Sequence, residues 1–324
     1  IRAFQGWRNS ASRGEAEAVE YMRQRLLAMT HLVDLGLELE EQTFHTYHGT
    51  EFWQTCLEVT VDGVTTEVPA DGHPGHRALL DHALLVDTDH RVNDDDNDPV
   101  VAEGEIVVVR NDSDIALLTP ADVQGRVVFA DYVIFDHYLR NGNDALAAAE
   151  TLIDLRPAGI VVVTSFSDQL GESHGVVAGD LNIFIYTNRL VPILNLRLED
   201  LQELGIDGWA ELHRVDSARM TLDIDVFSPG SSRNLVARIP GADPTRAMIV
   251  SGHIDSPNCP GAGDDGSGSV ALLQVAAALE AARTRPPVDV HLVWFGSEER
   301  GLYGSSVYAN RHSELLEHTL AMLQ

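Results

Sequence analysis

Between Asn234 and Arg311 the chain alternates short apolar strands with glycine-rich loops and helical runs. This alternation restricts the fold more than any other feature of the sequence. Asn234–Ile239, Ala247–Ser251 and Val288–Phe295 are apolar runs of strand length. Val270–Ala282 is a helix rich in Ala and Leu, and Ser305–Arg311 has helical character. Strand, loop, helix, strand, helix in this order predicts an α/β layer fold. Such folds gather ligands in the crevice beyond the carboxyl ends of their strands, so the residues that follow each apolar run carry the most information.

The rest of the chain is compatible with that class. Ser12-Arg13-Gly14-Glu15 has the form of a capping box. Val19, Met22, Leu26, Met29 and Val33 follow at three- and four-residue steps, which predicts one buried helix face ending near Gly36. Residues 37–68 alternate as strands do. Asn93-Asp94-Asp95-Asp96-Asn97-Asp98 reads as a solvated loop, since it lacks the glycine and distal glutamate of an EF-hand. A β/α stretch comes next, with strands at Ile106–Val109, Arg126–Ala130, Ile160–Thr164 and Ile183–Tyr186. Its helices are Ala145–Leu155 and Leu198–Leu204. There is no internal repeat.

Charge removes several classes of function. Asp and Glu number 50 against 22 Lys and Arg, and because the sequence contains no Lys, all 22 are Arg. The net charge of −28 argues against nucleic acid and against an anionic lipid surface, both of which need a basic face. No apolar run approaches the roughly 18–20 residues that span a bilayer, so no membrane span is expected. At roughly 100–200 residues per domain, 324 residues suggest about two domains. Cys56 and Cys259 make neither a disulfide framework nor a cysteine-based zinc site. The chain opens on Ile1 and stops in mid-pattern after Ala321-Met322-Leu323-Gln324, which reads as a fragment open at both ends.

Three segments at strand and helix boundaries carry chemistry. Ser251-Gly252-His253-Ile254-Asp255 follows a strand, Gly261-Ala262-Gly263-Asp264-Asp265-Gly266-Ser267-Gly268 precedes a helix, and Glu298-Glu299 with Gly301-Leu302-Tyr303-Gly304-Ser305 follows another strand. An imidazole and carboxylates with no thiolate set suit zinc, or alternatively manganese or cobalt. A carboxylate able to bridge, with separate ligands on either side, is what two ions about 3.5–4 Å apart require. In His-x-Asp the imidazole can bind metal while the carboxylate accepts the far ring N–H. In Glu-Glu one residue can bind and its neighbour can serve as general base. Each segment alone is common in loops and on solvated faces. Together, in this order and at these boundaries, they are specific.

Their wording resembles the zinc aminopeptidase and glutamate-carboxypeptidase family of metallopeptidases, peptidase family twenty-eight, whose motifs look like H-x-D, D-[DN]-x-S-G and E-E-x-G-L-x-G-S. The likeness is dense from about Ser232 onward, and residues 10–35 look like the family's leading helix. The resemblance implies a mixed twisted sheet flanked by helices, of the zinc-exopeptidase kind, with an inserted β/α protease-associated domain. It divides the chain into a first peptidase part at 1–89, the insert at 90–212 and a second peptidase part at 213–324. The insert's matching features are Gly125-Arg126-Val127-Val128-Phe129, Pro157-Ala158-Gly159-Ile160-Val161-Val162 and Val191-Pro192-Ile193-Leu194.

Carried over residue by residue, the resemblance makes His253 a ligand of one zinc and Asp264 the bridging carboxylate, with a cis peptide to Asp265. It makes Glu299 the ligand of the other zinc, Glu298 the general base and Asp255 the partner of His253. Two Zn2+ ions and a peptide substrate are implied, with removal of N-terminal residues as the first activity. Carboxypeptidase action on acidic peptides, a metal-free receptor or scaffold, and a glutaminyl-cyclase-like acyltransferase are the alternatives. The family uses five ligands, and its last Asp and His have no counterpart before Gln324. The expectation is that this chain holds three of the five and has no appreciable activity. Secretion is expected from the family's habits and the acidic surface; oligomeric state and side-chain preference are not legible.

Three further features are weaker. His73, His76 and His82 with Asp71 and Asp81 form either a polar loop or a second metal cluster, Cys259 sits in the metal loop with no assigned role, and Trp294 reads as core. The acid surplus has two readings: salt adaptation, or an acidic secreted enzyme from a high-GC genome. Salt screens self-repulsion among surface charges, so the first reading expects the unfolding temperature to rise from low to molar KCl. A chain no less stable in low salt would end it.

Overall fold

The computed structural model describes residues 8–47, 49–68, 83–84, 100–134, 142–164, 191, 193–202, 204–227, 229–256 and 261–324. Packing divides the chain into two units, one formed by Ile1–Thr50 with Phe227–Gln324 and the other by Glu51–Val226.

The first unit begins with helix α1, Arg13–Leu27, whose amino end is capped by Ser12: its Oγ accepts from the Glu15 N–H at 3.1 Å. Ala18, Val19, Met22 and Leu26 lie on its buried face. The single helix face expected through Val33 is interrupted. The Met29 N–H turns back to the Leu26 carbonyl, and a separate helix α2 runs over Thr30–Leu35. The phase shifts with that turn, so Leu32 is buried and Val33 is 44% exposed. No side chain of its own caps α2; instead the Glu280 carboxylate accepts from the N–H groups of His31 and Leu32 at 3.1 and 3.0 Å. Gly36, at φ 97, closes α2 as expected, and strand β1 follows at Glu38–Thr46.

The second unit holds β2 (Gly49–Val61), β3 (Val64–Glu67), β4 (Ala83–Leu84), β5 (Val100–Val109), β6 (Val127–Asp131), β7 (Gly159–Thr164), β8 (Ile193–Arg197) and β9 (Val215–Phe227). Its helices are α3 (Asp112–Leu117), α4 (Pro120–Val123), α5 (Gly142–Asp154) and α6 (Leu198–Gln202). These strands form one sheet in the order β3-β2-β9-β5-β6-β7-β8-β4, parallel from β5 through β8. Alternate residues of β6 enter different cores: Val127 and Phe129 pack with Val161, Leu194 and Met220, while Val128 and Ala130 pack with Leu152, Ile160 and Val162. A parallel sheet covered on both faces explains why these strands are apolar throughout. The unit is wider than 90–212 because β2, β3 and β9 share its sheet. The strand expected at Ile183–Tyr186 lies outside the described residues.

The chain returns to the first unit with β10 (Gly230–Ile239), β11 (Asp243–His253), α7 (Ser267–Ala282), β12 (Val288–Phe295), α8 (Tyr303–Arg311), α9 (Ser313–Glu317) and β13 (Thr319–Leu323). Together with β1 these strands form a mixed sheet, β1-β10-β12-β11-β13. β10 runs antiparallel to β1 and β12, whereas β11 is parallel to β12 and β13. Helices α1, α2 and α7 cover one face around Met22, Leu26, Leu32, Leu272, Leu292 and Trp294. Tyr308 of α8 packs with Val236, Ile249, Val293 and Phe295 on the other. The fold is therefore a mixed α/β sheet flanked by helices. The pairing of Gly252 with Trp294 and of His253 with Phe295 brings the carboxyl ends of β11 and β12 side by side.

Trp294 links sheet to helix. It is fully buried, and its indole N–H donates to the Ser269 carbonyl of α7 at 3.0 Å. Trp294→Ala is expected to destabilise the chain by about 3–5 kcal/mol, from lost burial plus an unfilled cavity. Urea unfolding followed by circular dichroism checks this, and a loss under about 1 kcal/mol would contradict the packing.

Candidate metal centre

At the end of β11, His253 is 7% exposed and held from several sides. Its N–H donates to Asp265 Oδ2 at 3.1 Å, and its carbonyl accepts from Ser269 Oγ at 2.7 Å. Ring atom Nδ1 lies 3.1 Å from the Asp255 carbonyl and 3.5 Å from Asp255 Oδ1. Ring atom Nε2 faces the acids, 2.9 Å from Asp264 Oδ1 and 3.8 Å from Glu298 Oε2.

Asp255 is fully buried and spans two strand ends. Its Oδ1 accepts from the Glu298 N–H at 3.0 Å. Its Oδ2 accepts from the Glu299 N–H at 3.2 Å and from Ser10 Oγ at 2.5 Å. One carboxylate thus touches the His253 ring and the backbone that carries Glu298 and Glu299.

The loop before α7 brings in Asp264. The Asp264–Asp265 peptide is cis. Asp264 projects toward His253 and is exposed, while Asp265 turns inward and accepts from the Gly268 N–H at 2.8 Å. Gly252 and Gly268 are both needed here, because a Cβ at either would collide with the Asp265 carboxylate. Asp265 therefore caps α7 and holds the His253 backbone at once.

After β12, Ser297 turns at φ 49, and Glu298 and Glu299 follow. His253, Glu298 and Glu299 each offer a ligand atom, and these atoms lie within 4.8 Å of one another. Glu299 Oε1 is buried with no hydrogen-bond partner among the described residues. An orphaned carboxylate oxygen beside an imidazole and two further acids is a donor set that fits zinc.

The electrostatics agree with that fit. Burial raises the Glu299 carboxyl, with help from Asp255 and Asp264, to about 9. Burial likewise raises Glu298, and His253 partly offsets it. For His253, burial pushes the pKa down, but hydrogen bonds to Asp255 and Asp264 outweigh it and carry it up to about 11. Asp264 is lowered by its hydrogen bond to that ring.

All five residues singled out by motif, His253, Asp255, Asp264, Glu298 and Glu299, converge. Trp294 is core. His73, His76, His82, Asp71, Asp81 and Cys259 lie outside the described residues. Glu15 and Asp265 were not singled out. Burial and the Asp255 charge push the Glu15 carboxyl up, against hydrogen bonds from Ser232 and the N–H groups of Ser297 and Ala11. Its motif position suggested only a helix cap. Asp265 was visible as the second acid of the Asp-Asp pair, but without a role.

Residues 234–324 match peptidase family M28. The M28 segment includes every residue of the cluster. Relatives extend the likeness: leupeptin-inactivating enzyme 1 of Streptomyces exfoliatus is 39% identical over 101 residues, 30% of this chain and 23% of that protein. Leucine aminopeptidase 2 of Trichophyton rubrum is 28% identical over 210 residues, 64% of this chain and 37% of that protein. The chain thus spans well under half the length of these curated relatives. The zinc aminopeptidase of Bacillus subtilis shares the fold at a TM-score of 0.53 and 17% identity, covering 98% of this chain and 64% of that one.

Zinc must displace protons from this cluster, because below about 9 Glu299 holds one and below about 11 His253 holds another. Zinc affinity is therefore expected to climb with pH through neutrality, with proton release on binding. Titration calorimetry in buffers of different ionisation enthalpy checks both. An affinity flat in pH would contradict the protonation states described.

Proposed function

We propose that this chain belongs to a zinc-dependent metallopeptidase, an aminopeptidase that removes N-terminal residues from peptides. The observation that carries the reading is the meeting of His253, Glu298 and Glu299 within 4.8 Å inside a segment that matches family M28. The relatives named as leucine aminopeptidase and zinc aminopeptidase favour the amino-terminal choice. In the two-ion form of the proposal, His253, Asp264 and Glu299 are the residues that would hold the zinc. The protease-associated insert is read at 90–212, within the Glu51–Val226 unit, whose own sheet interrupts the peptidase unit in sequence.

Zinc bound there supplies a water made acidic enough to attack and an oxyanion-stabilising charge at the scissile carbonyl. The chain supplies the rest. Glu298 is partly exposed, and its backbone N–H is fixed by Asp255. Its carboxylate takes the proton as the water oxygen bonds to the carbonyl carbon. It then delivers that proton to the amine nitrogen as the C–N bond breaks. Asp255 accepts from the Nδ1 side of His253 and keeps Nε2 turned to the acids.

Glu298→Gln in the full-length gene product tests the base assignment. The variant is expected to keep its zinc and lose about 10²–10⁴-fold in kcat, as measured by metal analysis and hydrolysis of an aminoacyl amide. Near-normal turnover would refute the assignment.

A further inference from the structure

The chemistry-bearing residues come from three loops, and a fourth segment, remote in sequence, touches the frame of all three. Arg8 is 4% exposed. Its Nε donates to the Ile254 carbonyl at 2.8 Å and its Nη2 to the Gly261 carbonyl at 2.9 Å, while its own carbonyl accepts from the Ser256 N–H at 2.9 Å. Arg8 thus grips both ends of the loop that leads from His253 to Asp264. Ser10 Oγ donates to Asp255 Oδ2 at 2.5 Å. Glu15 is 1% exposed. One of its oxygens accepts from the Ala11 N–H at 2.8 Å; the other accepts from Ser232 Oγ at 2.9 Å and from the Ser297 N–H at 2.8 Å.

A helix cap needs none of this. Ser12 already satisfies the Glu15 N–H, and a buried carboxylate is a costly way to fill space. What the Glu15 carboxylate adds is a bond to the residue immediately before Glu298. That residue sits at φ 49, a backbone region a non-glycine residue rarely occupies. Ser10 adds a bond to the one carboxylate that joins His253 to Glu298 and Glu299.

We propose that the buried segment from Arg8 to Glu15 is a positioning device for the metal centre, in which Glu15 holds the Ser297 turn and Ser10 holds Asp255. The proposal rests on the metal-site reading above and adds residues to it. These are positioning residues, since none touches the ligand atoms. Partners beyond the direct ligands typically contribute 10–100-fold to metal affinity.

The test uses Co2+ as the probe, titrated into this chain and followed by visible absorption, together with amide hydrogen exchange at residues 297–299 in the metal-free protein. Glu15→Gln keeps the shape but turns an amide NH2 toward a backbone donor. Ser10→Ala removes only a hydroxyl and carries the test should Glu15→Gln fail to fold. Leu26→Ala, in the core face of the same helix, serves as the control for simple loss of stability. Both site variants are expected to weaken Co2+ binding by about tenfold and to speed exchange at 297–299. Leu26→Ala is expected to lower the unfolding temperature and leave Co2+ affinity unchanged. If the wild-type chain binds Co2+ and both variants bind it equally well, the positioning role is wrong and the metal site stands. Equal loss in Leu26→Ala also overturns it. If the wild-type chain does not bind Co2+, the metal reading falls and takes this inference with it.

Discussion

The buried carboxylate of Asp255 is the contact on which the rest of the centre depends. It receives the backbone N–H groups of Glu298 and Glu299 and lies against the His253 ring. β11 and β12 already end together because they are paired in parallel. Asp255 converts that shared ending into a fixed relation between an imidazole and two acids. Its own cost is met by polar donors on every side, the condition under which a buried charge is tolerated.

The same logic of concentrated negative charge runs through the whole centre. Five acids, Asp255, Asp264, Asp265, Glu298 and Glu299, stand around one imidazole, in a chain whose net charge is −28. Burial does most to raise the proton affinity of Glu298 and Glu299, and neighbouring acids add to it. A cation bound there would relieve the repulsion among these acids.

Much of this was legible in the residues themselves. His253, Glu298 and Glu299 stood out because their segments, each common alone, occur together and in order at the strand boundaries where an α/β sheet gathers its ligands. The first helix was legible in part. Its apolar steps marked α1, but the break before α2 depends on the Met29 turn and on Glu280 from a helix about 250 residues away, as the 249- and 248-residue separations of those bonds record. Glu15 was hidden for a related reason. A local motif, the capping box, already accounted for it, whereas its carboxylate is used by Ser232 and Ser297, 217 and 282 residues further on. Local patterns report neighbours along the chain, and a buried charge reports neighbours in space.

The parallel pairing of β11 with β12 has one more consequence. Because His253 is matched to Phe295 residue for residue, the two strands act as a ruler that measures out where the acids begin. Side chains alternate across a sheet, so a single residue inserted within β12 would turn its whole face over. The crossover between the strands does not set that alignment, but its first part is restricted in another way, since it carries Asp264, Asp265, Gly268 and Ser269 against His253. Natural variation in this architecture should therefore be scarce inside the two paired strands and in the loop that opens the crossover, and should accumulate beyond the end of α7.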